Sequence, residues 1–462
     1  MMNKIILQLI LLTICTFVYG QDSVWEGKSV DFSHGNLQVS PNGRFLMYAN
    51  GTPFFYLADT AWELFHRLNE QEVAHYLEDR RAKGFTVIQA VILAELEGLT
   101  VPNRNGDVPL IDKDPTRPNE SYFQWVDKVI RMAASKGLYV ALLPTWGDKV
   151  DKQWGTGPVI FNAENIAVYG EYLAKRYVDF QNIIWVNGGD RKGGDTNFAI
   201  WDALGKAIKA NDKKHLMTYH PSGEASSSQW FHNCEWLDFN IMQSGHAQTD
   251  YAIYERLLIS DYNRKPTKPC MDAEPRYENI PKKFKAENGR FNASDVRKTL
   301  YWSLFSGAFG YTYGCNEIWQ FYTADMDPMV SAETDWRIAL NFQGSSEMIF
   351  ARELMTRYDF FSRIPDQSIL LTPQRDNADK AVATRGEGYA FVYLPHGNEI
   401  EVSLEKIAGA QQIKLMWFNP QNGQFTDINN VKASGSIKIK PKKRAKGDDW
   451  VFVMEKTENY NH

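Results

Sequence analysis

The sequence predicts an α/β fold, a (β/α)8 TIM barrel followed by a small antiparallel β-sandwich. Eight short apolar runs alternate with helical patterns or long loops over about 300 residues, the texture of a parallel sheet covered by helices. A count of eight favours a closed barrel, which takes about 250 residues plus insertions. Neither a Gly-rich dinucleotide fingerprint nor a P-loop is present to favour an open sheet. From residue 364 onward only strand-sized pieces fit between the turns.

Residues 31–50 read as an entry hairpin turning at Pro41-Asn42-Gly43. The first barrel strand is Phe54 to Leu57, and the helical pattern from Glu70 to Lys83 stops at Gly84. Strand 85–90, helix 120–136 and strand 139–144 follow, then helix 163–178, strand 183–186, helix 197–210 and strand 216–219. The pattern weakens over strand 239–242, helix 249–260, strand 268–271, helix 294–306, strand 310–313 and a helical stretch from Asp335 to Tyr358. The sandwich pieces are 369–371, 380–384, 389–394, 400–404, 413–418, 436–439 and 450–454. The domain plan is therefore a leader over residues 1–20, a barrel with its hairpin over 28–363 and a sandwich over 364–456.

The leader has Lys4 ahead of an apolar run from Ile5 to Val18 and a small residue at Gly20, which points to export, to the periplasm or the cell surface. No second apolar run of that kind follows, so no transmembrane segment is expected. With 51 Lys plus Arg against 56 Asp plus Glu, a formal charge of -5 supplies no global basic field for a nucleic acid. The basic run Lys440 to Lys446 reads as a solvated loop. Cys234, Cys270 and Cys315, an odd number spread along the mature chain, are no disulfide framework.

Reactive groups in such a barrel come from the carboxyl ends of the strands. Those ends are rich in carboxylates and in aromatic rings, drawn from 14 Trp, 22 Tyr and 26 Phe in the chain. They include Asp59 and Trp62 after strand 1, Trp146 after strand 3, and Trp185, Asn187 and Asp190 at strand 4. His220, His246, Glu274 and Trp319 close strands 5 to 8. A zinc motif, a Gly-x-Ser-x-Gly elbow and cysteine pairs are missing. His220 and His246 with Asp190 or Glu274 are a candidate metal set, but strand 1 lacks the His-x-His that would begin one. No metal or cofactor is expected. Paired carboxylates beside flat rings suit glycoside hydrolysis, in which one acid protonates the leaving oxygen and a second attacks or activates water.

Asp190 follows two glycines that let the backbone approach a ligand, and Glu274 is fixed by Pro275. Strands 4 and 7 face each other across a barrel mouth, so these two are the expected catalytic pair. Asp59, Trp62, Trp146, Trp185, Asn187, His220, His246 and Trp319 are the expected substrate contacts.

The run Asn50 to Trp62, the strand end Trp185-Val186-Asn187-Gly188-Gly189-Asp190 and the segment Tyr311 to Tyr322 around Trp319 resemble the apiosidase family, glycoside hydrolase family 140. The similarity runs from about residue 28 to 456 and includes a small C-terminal β-domain that carries a collagen-binding label. The resemblance implies retaining hydrolysis of apiose-containing linkages in the pectin rhamnogalacturonan II. It places the acid/base aspartate at Asp190 and the nucleophile at Glu274. The wider clan of retaining barrels carries Asn-Glu at strand 4, from which Asn187-Gly188-Gly189-Asp190 departs. The alternatives are a β-glucan or mannan hydrolase on the same barrel, a carbohydrate-binding protein without catalysis, and an adhesin acting through the sandwich.

Overall fold

The computed structural model describes residues 25–374, 377–407, 409–441 and 447–457. The expected export leader and residues 442–446 of the basic run lie outside them. The entry hairpin pairs Leu37–Val39 with Leu46–Tyr48, and its turn closes through the Gly43 N–H on the Ser40 carbonyl at 2.8 Å.

The barrel strands are β1 (Tyr56–Thr60), β2 (Val87–Leu93), β3 (Tyr139–Thr145), β4 (Ile183–Gly188), β5 (Met217–His220), β6 (Asn240–Gln243), β7 (Cys270–Asp272) and β8 (Gly310–Tyr313). They lie in the order β5-β4-β3-β2-β1-β8-β7-β6, all parallel, and the short strand Ala225–Ser226 runs antiparallel on the outer edge of β6. The barrel is nearly closed. Between β5 and β6 a continuous ladder gives way to the Asp238 N–H on the Met217 carbonyl at 2.8 Å and Thr218 Oγ1 on the Phe239 carbonyl at 2.6 Å. Every barrel strand residue is buried, because one face meets the barrel interior and the other meets helices.

The principal helices are α1 (Glu70–Ala82), α2 (Glu120–Ser135), α3 (Ala163–Tyr177), α4 (Asn197–Asn211), α5 (Ala293–Phe305) and α6 (Gln343–Arg357). Asn69, Asn162 and Asn292 start α1, α3 and α5 with reciprocal capping boxes, which satisfy N–H groups that a first turn leaves open. The helix expected over 249–260 is broken by a π-turn at Glu255–Ile259. The stretch Asp335 to Tyr358 is two helices, since Phe342 takes an extended conformation between them.

The C-terminal unit places Ile364–Pro365, β9 (Val382–Gly386), β10 (Tyr389–Leu394), β12 (Gln412–Phe418), β13 (Phe425–Lys432) and β15 (Trp450–Lys456) in one sheet. Its order is Ile364–Pro365, β9, β10, β15, β12, β13. The pair β11 (Ile400–Ser403) and β14 (Ser436–Ile439) forms a second, smaller sheet. Of the predicted strand at 369–371, Ile369 ends the 3-10 turn Gln367–Ile369 and Leu370 makes a single bridge to Val402. Strand β13 escaped prediction because it is an exposed edge with a polar sequence, leaving no buried face to impose alternation.

Alternation along β10 joins the two units. Ala390, Val392 and Leu394 pack into the sandwich, while Tyr389, Phe391 and Tyr393 join the barrel core. Tyr393 stacks on Tyr301 of α5 with ring centres 4.9 Å apart. Beside them Arg297 is buried between Asp449 and Glu347. Cys234, Cys270 and Cys315 are all free.

Candidate active site

A cavity of about 650 Å³ opens at the carboxyl ends of the barrel strands, and Asp190 and Glu274 both line it. Trp62, Trp146, His246 and Trp319 of the expected set share that wall. Glu95, Trp154, Gln243 and Tyr277 line it too and were not among the expected contacts. Trp154 carried no strand-end signal, because it lies within the long loop between β3 and α3.

Asp190 is delivered by a backbone that few residues tolerate. Gly188 and Gly189 have φ of 90° and 129°, and a Cβ on Gly188 would stand 2.5 Å from the His220 carbonyl. Asp190 itself has φ of 56°, a left-handed conformation that Asp adopts more readily than most residues. Its N–H donates to His220 Nδ1 at 3.3 Å. That nitrogen must therefore accept, which leaves the His220 proton on Nε2. His220 Nε2 lies 3.0 Å from Glu274 Oε2, close but off the line of a hydrogen bond. His246 Nε2 meets the other oxygen, Oε1, at 3.3 Å. One imidazole thus spans the two acids, and a second holds the far side of Glu274.

The two carboxyls are driven in opposite directions. Burial, and then the nearby Glu274 charge, raise Asp190 to about 6. Burial also opposes ionisation of Glu274, but the imidazoles of His220 and His246, set against its two oxygens, outweigh it and hold Glu274 down to about 2. Glu95 is raised well above the ordinary carboxylate range by burial and then by the Asp190 charge. Its segment is clamped by Lys149 Nζ on the Ala94 carbonyl at 2.5 Å and by Glu63 Oε1 on the Leu96 N–H at 3.0 Å. The cavity thus holds one carboxylate kept ionised, one carboxyl that titrates near 6 and a third carboxyl that its surroundings push upward.

The rings are arranged around His220. Trp62 and Trp146 lie 5.1 Å apart, centre to centre, and 5.4 and 5.8 Å from the imidazole. His220 itself is fully buried behind the cavity wall, so it orders the acids and rings rather than facing solvent.

Three expected contacts point the other way. Asp59 is fully buried against α1, bonded by Arg80 Nε at 2.6 Å and the Tyr76 hydroxyl at 2.5 Å. Trp185 donates its indole N–H to Asp212 at 2.8 Å, and Asn187 donates Nδ2 to the Trp201 carbonyl of α4 at 2.7 Å. Trp185 and Asn187 are two positions apart on β4, so the strand period sends both to the helix layer. None of the three lines the cavity; each ties a strand to its surroundings. Among the described residues, no group of three or more His, Cys, Asp or Glu is disposed to hold a metal ion. Nor is any helix there long and apolar enough to cross a membrane.

Comparisons with known proteins agree with this architecture. Residues 40–362 match a family model described as "Apiosidase-like, catalytic domain", and residues 364–455 match one described as "Putative collagen-binding domain of a collagenase". A solved structure described as a glycoside hydrolase is 35% identical, with a TM-score of 0.86 over 93% of this chain and 99% of its own. A crystal structure of a glycoside hydrolase family 5 from Bacteroides vulgatus ATCC 8482 is 34% identical, with a TM-score of 0.86 over 94% of this chain and 96% of its own. A search of the curated proteins returns no match.

Proposed function

The chain belongs to the apiosidase-like family and is a glycoside hydrolase, and from that premise we propose that it cleaves by double displacement with Glu274 as nucleophile and Asp190 as acid/base. The observation that carries this reading is the opposite displacement of two carboxyls in one cavity. Glu274, kept anionic by two imidazoles, attacks the anomeric carbon while Asp190 gives its proton to the leaving oxygen. The resulting ester removes the Glu274 charge that had raised Asp190. Asp190, having given up its proton and no longer facing that charge, stays a carboxylate and takes a proton from the incoming water. Release of sugar restores both starting charges.

The substrate we propose is an apiose-containing linkage of rhamnogalacturonan II side chains. The family description and the indole rings of Trp62, Trp146 and Trp319 in the cavity wall support a sugar unit bound beside the two acids. Export to the periplasm or cell surface is part of this reading, supported by the charge and apolar pattern of residues 1–20. Incubation with rhamnogalacturonan II oligosaccharides and with β-glucan and mannan, followed by product identification and NMR of the first-formed anomer, tests it. Apiose of retained configuration is expected. Products from glucan or mannan alone would replace the substrate and keep the chemistry, and an inverted anomer would remove Glu274 as nucleophile.

A further inference from the structure

Trp154 is 63% exposed, an unusual state for the largest side chain, and it stands at the mouth of the cavity. Its position is built rather than incidental. Arg191, fully buried, binds the Asp151 carbonyl through Nε at 2.6 Å and the Lys152 carbonyl through Nη2 at 2.9 Å, which fixes the loop just ahead of Trp154. The Arg191 guanidinium then sits 4.5 Å from the Trp154 ring centre and backs the indole. Behind the loop, Asp148 accepts the Gly157 N–H at 2.7 Å and pairs with the buried Lys149.

The indole edge meets the acid. Trp154 Nε1 donates to Asp190 Oδ2 at 3.1 Å. An indole N–H is a donor only, so Oδ2 accepts and the carboxyl proton is directed to Oδ1. The group that receives this proton is the oxygen of the departing alcohol, so the leaving group passes beside the same carboxyl that the indole touches. One ring face is backed by a cation, and the ring stays open to solvent at the cavity mouth.

We propose that Trp154 is the stacking platform for the leaving-group sugar and, through its N–H, a positioning residue that aims the Asp190 proton. The assignment rests on Asp190 being the proton donor. The ring serves a leaving group with a flat apolar face, a pyranose or larger unit, since a ring this exposed gains by covering that surface. The two contributions separate by substitution. Trp154→Ala removes both ring and N–H, whereas Trp154→Phe keeps a ring and removes the N–H.

The test compares an oligosaccharide substrate with a glycosyl fluoride of the same sugar, whose leaving group is too small to reach the ring. For Trp154→Ala, kcat/KM is expected to fall roughly tenfold or more on the oligosaccharide, with the fluoride nearly unaffected. For Trp154→Phe, most of the oligosaccharide kcat/KM is expected to remain. The basic limb of its pH profile should move upward, because the lost N–H had favoured the Asp190 anion. Equal losses on fluoride and oligosaccharide, or a phenylalanine variant as poor as the alanine one, would overturn the platform. No change in either alanine rate would do the same. Asp190→Ala run alongside separates the two readings. If it stays active the acid assignment falls and takes the platform with it, whereas an inactive Asp190→Ala beside an unchanged Trp154→Ala removes the platform alone.

Discussion

The ends of β4 and β7 each bring one carboxyl to the same cavity, and their surroundings differ in kind. At β4, Asp190 has a strained backbone, a single indole N–H on its carboxylate and a guanidinium no nearer than 3.8 Å. At β7, Glu274 lies between two imidazole nitrogens. Burial acts against charge at both places, and only the second supplies enough compensation. The role of each acid is thus set by its neighbours rather than by its residue type.

The most severe way to break this contrast is Glu274→Gln, which removes the attacking oxygen and should nearly abolish turnover on every substrate. Asp190→Ala should cost on the order of 10² to 10⁴-fold on natural linkages, the usual worth of general acid catalysis. An activated aryl glycoside should suffer less in its first step, because its leaving group needs little protonation. Assays of both variants on both substrates check the pair of expectations, and equal losses for Asp190→Ala on both would argue against a proton-donor role.

A subtler effect sharpens the coupling. Activity on natural linkages should decline as pH rises through about 6, where Asp190 loses its proton, and Glu274 stays ionised down to about 2. Removing the Glu274 charge takes away one of the forces holding Asp190 up. In Glu274→Gln the Asp190 titration should therefore move below its wild-type position, read from the carbonyl infrared band of the protonated acid. An unchanged or higher midpoint would show that the two sites do not sense each other.

Outside the cavity, the ion pair of Asp59 and Arg80 gives a control. Arg80→Ala leaves Asp59 buried without its cation, and a loss of about 3–5 kcal/mol is expected in denaturant unfolding, with the pH profile of activity of the folded enzyme unchanged. The smallest effect belongs to Glu95→Gln. Burial and the Asp190 charge both disfavour the Glu95 anion, the form that the amide cannot mimic, so kcat/KM should change only a few-fold. A large loss would mean that Glu95 acts as an anion.

Much of this was legible in the chain and some was not, for definable reasons. Eight buried parallel strands show as apolar runs because both faces are covered, and the glycines before Asp190 advertise a close backbone approach. Proximity to a strand end, however, does not say which face a residue occupies. Counting by twos along β4 puts Trp185 and Asn187 together on the helix side, a signal present in the sequence and overridden by their polar or aromatic character. Asp59 could be recognised only with its partner, since Arg80 lies 21 residues on, in the last turn of α1. Trp154 had no periodic context at all: loop geometry alone brings it to Asp190.

The central claim, that Glu274 attacks and Asp190 transfers the proton, is tested most directly by azide rescue of both variants on one activated aryl glycoside, with product anomers read by NMR. Asp190→Ala still forms the glycosyl-enzyme, and azide needs no general base, so the glycosyl azide should retain configuration. Glu274→Gly opens space where azide replaces the lost nucleophile, so its product should be inverted. Retained azide from the Glu274 variant together with inverted azide from the Asp190 variant would exchange the two roles and contradict the account.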